Sequence, residues 1–335
     1  MKELKIVNEL DLGVPVRGSY VVGDYIYILA DVLYRATYSG DTIGTLEPLS
    51  SVTAPNAILS DGTYLYVGGN NEGVAGSRLF VVGIANFDLK TSVLISASSS
   101  RNRVTIPHFI DQFGYVHTSS WNVSGTSYRV YDYNSDLNNL NLITSSGPPY
   151  SRASQQLPSG NIVINQAQAA NNSLYSWDGS TLTEIDFVDI ETLPGNCYYT
   201  KFKNNILTIQ RTLTGYCALI GDVDNKLIQI SSNLLQLPQS GRTLDADGEL
   251  AYMLGTDTLF VVDLVENELQ IKNSMLFNNN FVASQELNQV HCGNNRVYVA
   301  NGNKLYTLRW HVKAGFTVSN SNPAVGETIT FSAIQ

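Results

Sequence analysis

The stretch Asp61-Gly-Thr-Tyr-Leu-Tyr-Val67 joins a tight turn to an apolar strand, and this combination occurs seven times along the chain. The other six copies of the strand are Tyr25-Ile-Tyr-Ile28, Gly114-Tyr-Val-His117, Asn161-Ile-Val-Ile164, Asn205-Ile-Leu-Thr208, Leu250-Ala-Tyr-Met253 and Arg296-Val-Tyr-Val299. Successive copies start 39 to 50 residues apart, which matches the roughly 40–50-residue period of four-stranded propeller blades. The sequence therefore predicts an all-β fold, a seven-bladed β-propeller of four-stranded blades.

The two ends of the repeat region complement each other. The seventh unit ends after its third strand, near Trp310, and lacks a fourth strand. Leu4-Lys-Ile-Val-Asn-Glu-Leu10 reads like the fourth strand of the sixth unit, Leu269-Gln-Ile-Lys-Asn273. We expect the N-terminal strand to complete the last blade, which closes the ring and removes its free sheet edges. This predicts a propeller over residues 1–312 and the start of a second domain over 313–335.

The C-terminal stretch carries a family resemblance. Residues 316–333 read Phe-Thr-Val-Ser-Asn-Ser-Asn-Pro-Ala-Val-Gly-Glu-Thr-Ile-Thr-Phe-Ser-Ala, which resembles the opening of a PKD-type immunoglobulin-like domain. A sandwich of that kind needs roughly 80–100 residues. The resemblance implies that this domain is truncated in the chain and that the parent protein continues.

The blades carry a second resemblance. Val297-Tyr-Val-Ala-Asn301 and Thr258-Leu-Phe-Val-Val-Asp263 are similar to the YVTN-type propellers of archaeal and bacterial surface-layer-like proteins. Propellers followed by PKD-type domains resemble cell-surface or viral-surface proteins that act in adhesion and envelope assembly. The resemblance implies that setting and brings no catalytic residues with it.

Composition excludes several classes of function. The 335 residues include 20 basic and 29 acidic side chains, for a net charge of −9, and only 15% of the residues are charged. The basic residues form no cluster, so neither nucleic acid nor an anionic membrane surface is an expected partner. No apolar run approaches the ~20 residues that span a bilayer. The N-terminus lacks the apolar core of a signal peptide. The protein therefore stays inside, is an excised piece, or reaches a surface by another route such as virion assembly.

Motifs for catalysis or metal binding are weak. Asp245-Ala-Asp247-Gly248-Glu249 resembles the start of a calcium loop but lacks the full spacing, and its place in the repeat predicts a hairpin turn. Of the four histidines, His108 and His291 lie near inner strands, where they face the channel or pack as ordinary strand residues. No nucleophile elbow or local carboxylate pair is present, although residues from several blades could still meet in space. We expect no metal and no cofactor.

Two sequons and three cysteines complete the candidate features. Asn122 and Asn171 begin Asn-x-Ser sequons in predicted second-to-third-strand loops, and Asn-rich loops also generate such sequons by chance. Cys197 and Cys217 lie on the first and third strands of the fifth blade. Two strand spacings of about 4.8 Å exceed the ~7 Å limit for a disulfide, so we expect free thiols.

The central funnel is the predicted ligand site, because ligands of closed β folds commonly lie in such mouths. We aligned the seven inner strands backward from their shared turns and took the residues near their starts. These are Arg17, Asn56, His108, Arg152, Tyr199, Arg242 and Gln289. Three arginines predict a locally positive funnel that binds an acidic sugar or another anionic or polyhydroxylated group. The same side chains could instead pair with carboxylates of neighbouring blades and fasten the ring.

These observations favour a non-catalytic binding, adhesion or assembly module of a larger cell-surface or virion-surface protein. Its expected partner is carbohydrate or protein on a surface, and its expected location is extracellular, on a cell or virion surface. The alternative is a propeller hydrolase or lyase that acts on polysaccharide, which two carboxylates about 5–9.5 Å apart in the funnel would favour. A third interpretation is a structural spacer, which a channel filled with apolar side chains would favour.

Overall fold

The structure is a computed structural model that describes residues 2–70, 76–96, 105–120, 128–145, 147–148, 151–166, 171–188, 197–210, 216–239, 243–277, 289–312, 315–318 and 331–334. The described residues form seven antiparallel sheets and one two-stranded hairpin, with no helix among them. No membrane-spanning helix is found in this part of the chain. The seven sheets confirm the predicted seven-bladed β-propeller.

Each blade is built from consecutive strands, and the first strand (β1, Lys2–Asp11) is the exception that joins the last blade. Blade 1 contains β2 (Gly18–Val22), β3 (Tyr25–Leu29), β4 (Val32–Ser39), β5 (Thr42–Ile43) and β6 (Glu47–Thr53). Blade 2 contains β7 (Pro55–Ser60), β8 (Tyr64–Asn70), β9 (Ser77–Gly83) and β10 (Asp88–Ser96). Blade 3 contains β11 (Thr105–Ile110), β12 (Val116–Ser120), β13 (Tyr128–Asn134) and β14 (Asn139–Thr144).

The remaining blades follow the same plan. Blade 4 contains β15 (Ser151–Gln156), β16 (Ile162–Gln166), β17 (Asn171–Trp177) and β18 (Leu182–Val188). Blade 5 contains β19 (Cys197–Phe202), β20 (Asn205–Gln210), β21 (Tyr216–Val223), β22 (Lys226–Gln229) and β23 (Leu235–Gln236). Blade 6 contains β24 (Thr243–Ala246), β25 (Ala251–Leu254), β26 (Thr258–Val265) and β27 (Glu268–Leu276). Blade 7 contains β28 (Val290–Gly293), β29 (Arg296–Asn301), β30 (Lys304–Val312) and β1. The hairpin is formed by β31 (Gly315–Val318) and β32 (Phe331–Ile334).

The N-terminal strand closes the ring. β1 pairs antiparallel with β30, from Lys2 opposite Val312 to Asp11 opposite Lys304. A bulge between Ile6 and Asn8 lets this long strand follow the twist of its neighbour. Glu9 and Lys304 form an ion pair across the junction. The predicted completion of the last blade by the N-terminal strand is confirmed.

The core lies between the blades. Neighbouring inner strands contact one another around the whole ring, and each blade packs one face on each neighbour. Tyr27, Tyr128, Tyr252 and Tyr298 are fully buried in these seams. This confirms that many of the repeat tyrosines pack between blades, as the β-propensity of tyrosine suggests.

The first hairpin of each blade uses the expected turn chemistry. Lys203–Asn204 and Asn294–Asn295 have positive φ at both residues, which is the geometry of a two-residue type I′ turn. In blade 2, Asp61 Oδ1 accepts the backbone N–H groups of Thr63 and Tyr64 at 2.7 Å each. These turns fix the register between inner and second strands.

The thiol geometry agrees with the sequence. Strand β20 lies between β19, which begins at Cys197, and β21, which contains Cys217. Cys217 and Cys292 are free cysteines, and the Cys197 side chain lies outside the described residues. In the C-terminal stretch, Phe316 pairs with Ala333 in the β31–β32 hairpin. The PKD-type assignment stays a prediction, since its Asn322-Pro323 turn lies outside the described residues.

Candidate functional site

All seven inner strands contribute to a cavity of about 260 Å³ on the propeller axis. Its lining is mixed, with aliphatic side chains beside hydroxyl, imidazole, amide and carboxylate groups. The lining residues are Tyr20, Ile58, Leu59, Pro107, His108, Gln155, Tyr198, Tyr199, Thr200, Thr243, Leu244, Asp245, Val290, His291 and Cys292. Polar groups are thus brought together from blades that are far apart in sequence.

Of the seven residues predicted for the funnel, the structure places some in the cavity lining and others outside it. His108 and Tyr199 line the cavity. Asn56 and Gln289 are 2% and 1% exposed and are not among the lining residues, and neither is Arg17, which directly precedes β2. The Arg152 side chain and all of Arg242 lie outside the described residues. The positive funnel therefore stays a prediction.

The predicted residues occupy different positions relative to the starts of their inner strands. Gln289 lies before β28, whereas His108 is the fourth residue of β11. The inner strands range from four residues in β24 to six in β7, so counting backward from the turns overshoots the shorter strands. Bulges in β7, β11 and β15 each add a residue that the periodicity of the sequence does not show.

Asp245 is the hydrogen-bonding centre of one side of the cavity. Its Oδ2 lies 2.9 Å from His291 Nδ1 and accepts the Cys292 N–H at 2.8 Å. Its Oδ1 accepts the Thr200 hydroxyl at 3.3 Å and the Ala246 N–H at 2.9 Å. Four donors occupy the two oxygens, which is about the capacity of a carboxylate. The group therefore joins the inner strands of blades 5, 6 and 7.

The two aspartates of the acidic motif, Asp245 and Asp247, have different roles. Asp247 caps the turn as predicted, since its Oδ1 accepts the N–H groups of Glu249 and Leu250 at 3.0 and 2.8 Å. Asp245 instead lines the cavity, a role that the sequence analysis missed. Its signal was a carboxylate on an inner strand, two residues before the turn aspartate.

His291 is held on both sides. Its ring stacks on Tyr20 with centroids 4.5 Å apart, and its Nδ1 bonds to Asp245. Burial raises the pKa of the Tyr20 hydroxyl, and the charge of Asp245 adds to this effect. His291 Nε2 is buried with no hydrogen-bond partner in the described part of the chain. Gly293 lies close to that nitrogen, since a Cβ added at this glycine would be 3.4 Å from it.

His108 faces the cavity from the opposite part of the ring. Its Nε2 lies 2.7 Å from the Ser119 hydroxyl of the neighbouring strand. Burial lowers the pKa of His108 to about 3, and the nearby His117 contributes in the same direction. The imidazole is therefore neutral at physiological pH. Both histidines that the sequence placed near inner strands line the cavity.

Gln155 of blade 4 also lines the cavity, from the inner strand next to that of His108. Its Oε1 accepts the backbone N–H of Gln156 at 3.1 Å. Within the described residues, neither its amide nitrogen nor His108 Nδ1 has a protein partner. Both residues are incompletely buried and line the cavity.

Cys292 lines the cavity as a free cysteine. Burial raises the pKa of its thiol well above the ordinary value, and the charges of Asp245 and Asp247 raise it further. The thiolate is the nucleophilic form of cysteine. Cys292 is therefore a protonated, weakly reactive thiol in this environment.

The other two histidines, His117 and His311, are not among the described lining residues. His117 is fully buried, with Nδ1 2.8 Å from the Tyr128 hydroxyl and Nε2 3.0 Å from Asp111 Oδ2. Trp177 of blade 4 donates its indole N–H to the same carboxylate oxygen, so the network joins blades 3 and 4. His311 lies exposed on β30. Among the described residues, no three His, Cys, Asp or Glu side chains come together as a metal site requires.

The two sequons, at Asn122 and Asn171, lie in different parts of the chain. Asn122 lies outside the described residues. Asn171 was expected in a loop, but it begins β17 and pairs with Gln166 of β16. Glycosylation at either position stays a prediction.

No family model and no curated protein matches the chain. Among solved structures, the β-propeller domain of Cps50 (Swd1) from Myceliophteria thermophila is similar, with 11% identity, a TM-score of 0.67, and 93% of this chain and 100% of that chain covered. The WD40 repeats of RRP9 match at 11% identity and a TM-score of 0.59, over 92% and 100% of the two chains. Virginiamycin B lyase from Staphylococcus aureus matches at 10% identity and a TM-score of 0.63, over 92% of this chain and 99% of that chain. Similarity at this level shows the propeller fold alone.

Proposed function

We propose that this propeller is a non-catalytic binding module that recognises a partner through its central cavity and the surface around it. The observation that carries the proposal is the cavity lining. All seven blades contribute to it, and it combines polar with apolar groups. Sites that bind small groups share this mixture of apolar walls and a few convergent polar atoms. A spacer role would instead favour an apolar plug.

The lining also bears on catalysis. Glycoside hydrolysis by the usual mechanism needs two carboxyl groups about 5–9.5 Å apart. Asp245 is the one carboxylate among the described lining residues, and its two oxygens already accept four hydrogen bonds. Hydrogen bonding of this kind suits a carboxylate that holds neighbouring strands in place.

The setting proposed for the module is the surface of a cell or a virion, within a larger protein. Support comes from the neutral-polar composition, with only 15% charged residues, and from the YVTN-type and PKD-type resemblances. The proposed partner is a carbohydrate or a protein on an opposing surface. The similar WD40-repeat structures make a protein partner reasonable for this fold.

A glycan array probed with the purified chain tests the proposal, together with a degradation assay on the same polysaccharides. Retention of one glycan class without loss of polymer length supports a binding module. Chain shortening or formation of unsaturated ends would overturn it in favour of an enzyme. If no glycan binds, the chain should bind a surface protein of the same source organism in a pairwise assay. Failure of both kinds of binding also contradicts the proposal.

The second candidate is a hydrolase or lyase, and one observation favours it. Asp245 orients His291 at 2.9 Å, the kind of contact that positions a general base. One of the similar structures carries an enzyme name, the virginiamycin B lyase. A catalytic role would require His291 Nε2 to become accessible. Loss of a measured degrading activity in His291→Ala, with the fold intact, would establish this candidate.

A further inference from the structure

The cavity that carries the proposed function has little charge to offer a ligand. No lysine or arginine is among its described lining residues. Its carboxylate, Asp245, is saturated by donors from three blades. A fully charged ligand entering here would give up its hydration without gaining a counter-charge, which is costly.

Among the described residues, two nitrogen atoms of the lining have no protein hydrogen-bond partner and are not fully buried, so they are open to a ligand. They are His108 Nδ1 and the Gln155 amide nitrogen, on adjacent inner strands β11 and β15. Ser119 holds the other imidazole nitrogen and so fixes the ring plane. Apolar walls from Leu59 and Pro107 lie beside them.

The hydrogen-bonding capacity of these two nitrogen atoms favours some ligand groups over others. A neutral imidazole nitrogen either donates or accepts, depending on the tautomer, and an amide nitrogen donates. A hydroxyl both donates and accepts, so it satisfies either tautomer of His108 and also accepts from Gln155. Carboxylate, sulfate and phosphate groups only accept, and the charged imidazole that would hold them is disfavoured by burial.

We propose that the central cavity binds an uncharged, hydroxyl-rich group of about monosaccharide size, held by His108 Nδ1 and the Gln155 amide. This inference rests on the proposed binding function and narrows it. The cavity volume of about 260 Å³ lies just below the roughly 300–1,000 Å³ of sites for drug-sized ligands, so one small group fits and an oligomer does not. A longer glycan would present a single terminal residue.

The test uses the full chain and ligand-observed saturation-transfer NMR with glucose, galactose, mannose and glucuronate. We expect at least one neutral hexose to bind and glucuronate to bind at least tenfold more weakly. His108→Ala and Gln155→Leu should each weaken the hexose by at least tenfold. The matched control His311→Ala removes an exposed histidine of β30 and should change nothing. Circular dichroism and thermal melting of each variant establish that it is folded.

Three results would overturn the inference. Absence of hexose binding, with array or partner binding retained, would remove the cavity ligand but leave the binding module. Equal hexose binding by folded His108→Ala and Gln155→Leu would place the site elsewhere. Stronger binding of glucuronate, abolished by Ala at Arg17, Arg152 and Arg242, would replace the neutral ligand with an anionic one.

Discussion

The Asp245 carboxylate meets His291 Nδ1 at 2.9 Å across the boundary between blades 6 and 7, on the channel side of the ring. Thr200 of blade 5 reaches the same carboxylate. A single side chain thus joins three consecutive inner strands close to where a ligand would enter. The arrangement makes the shape of the cavity depend on the integrity of the ring.

The Asp245→Asn change should destabilise the fold by about 1–3 kcal/mol, because an amide cannot accept all four donors and leaves at least one of them buried without a partner. Urea unfolding of the two proteins measures the difference. Asp136→Asn, in the exposed turn of blade 3, is the matched control and should lie within about 0.5 kcal/mol of the parent. An equal decrease in the free energy of unfolding in both variants would show that the Asp245 network adds no stability.

Acid should weaken the fold through His108. The pKa of this imidazole is about 3 in the folded protein, below its ordinary value of 6.5, so the unfolded chain takes up the proton first. The stability that the neutral His108 contributes is fully present above pH 6.5 and is lost as the pH drops toward 3. Between pH 7 and pH 5 the loss from this group alone is about 2 kcal/mol.

Urea unfolding at pH 7, 6 and 5 measures this slope. His108→Gln should flatten it, and His311→Gln, at an exposed position of β30, is the matched control. A parent protein equally stable at pH 7 and 5 would contradict the neutral, buried state of His108.

The sequence predicted the fold better than the site, for a physical reason. Blade count and ring closure depend on local signals, namely the turn residues and the similarity of Leu4–Leu10 to a fourth strand, and both were confirmed. The depth of a side chain in the channel depends on strand lengths and bulges, which leave no mark on the period. Asp245 and Gln155, which line the cavity, were therefore missed.

Gly68→Ala should be more damaging than an ordinary Gly-to-Ala change. A Cβ at Gly68 in β8 would lie 1.8 Å from the backbone oxygen of Thr105 in blade 3. Relief requires the two blades to separate, which costs about 1–3 kcal/mol or more. Gly83→Ala is the control, since its Cβ would meet only the movable ends of Asp88 and Lys90. A thermal melt that shows equal midpoints for the two variants would contradict the tight seam between blades 2 and 3.

Removal of residues 1–11 should open the ring. Strand β1 covers the outer edge of β30 along its whole length, and Leu4 is only 4% exposed in the seam between blades 6 and 7. Without it, β30 becomes an exposed edge strand that can pair with another chain. We expect the truncated protein to melt at a lower temperature and to elute as dimers or larger species in size-exclusion chromatography. A synthetic peptide of residues 1–11, added in excess, should restore the elution volume of the parent protein and raise the melting temperature, because it binds only the folded ring. A peptide with Leu4→Asp places a charge in the apolar seam and should fail to rescue. If the truncated chain elutes in the same oligomeric state as the parent protein and melts at the parent temperature, closure by the N-terminal strand contributes nothing to the stability of the propeller.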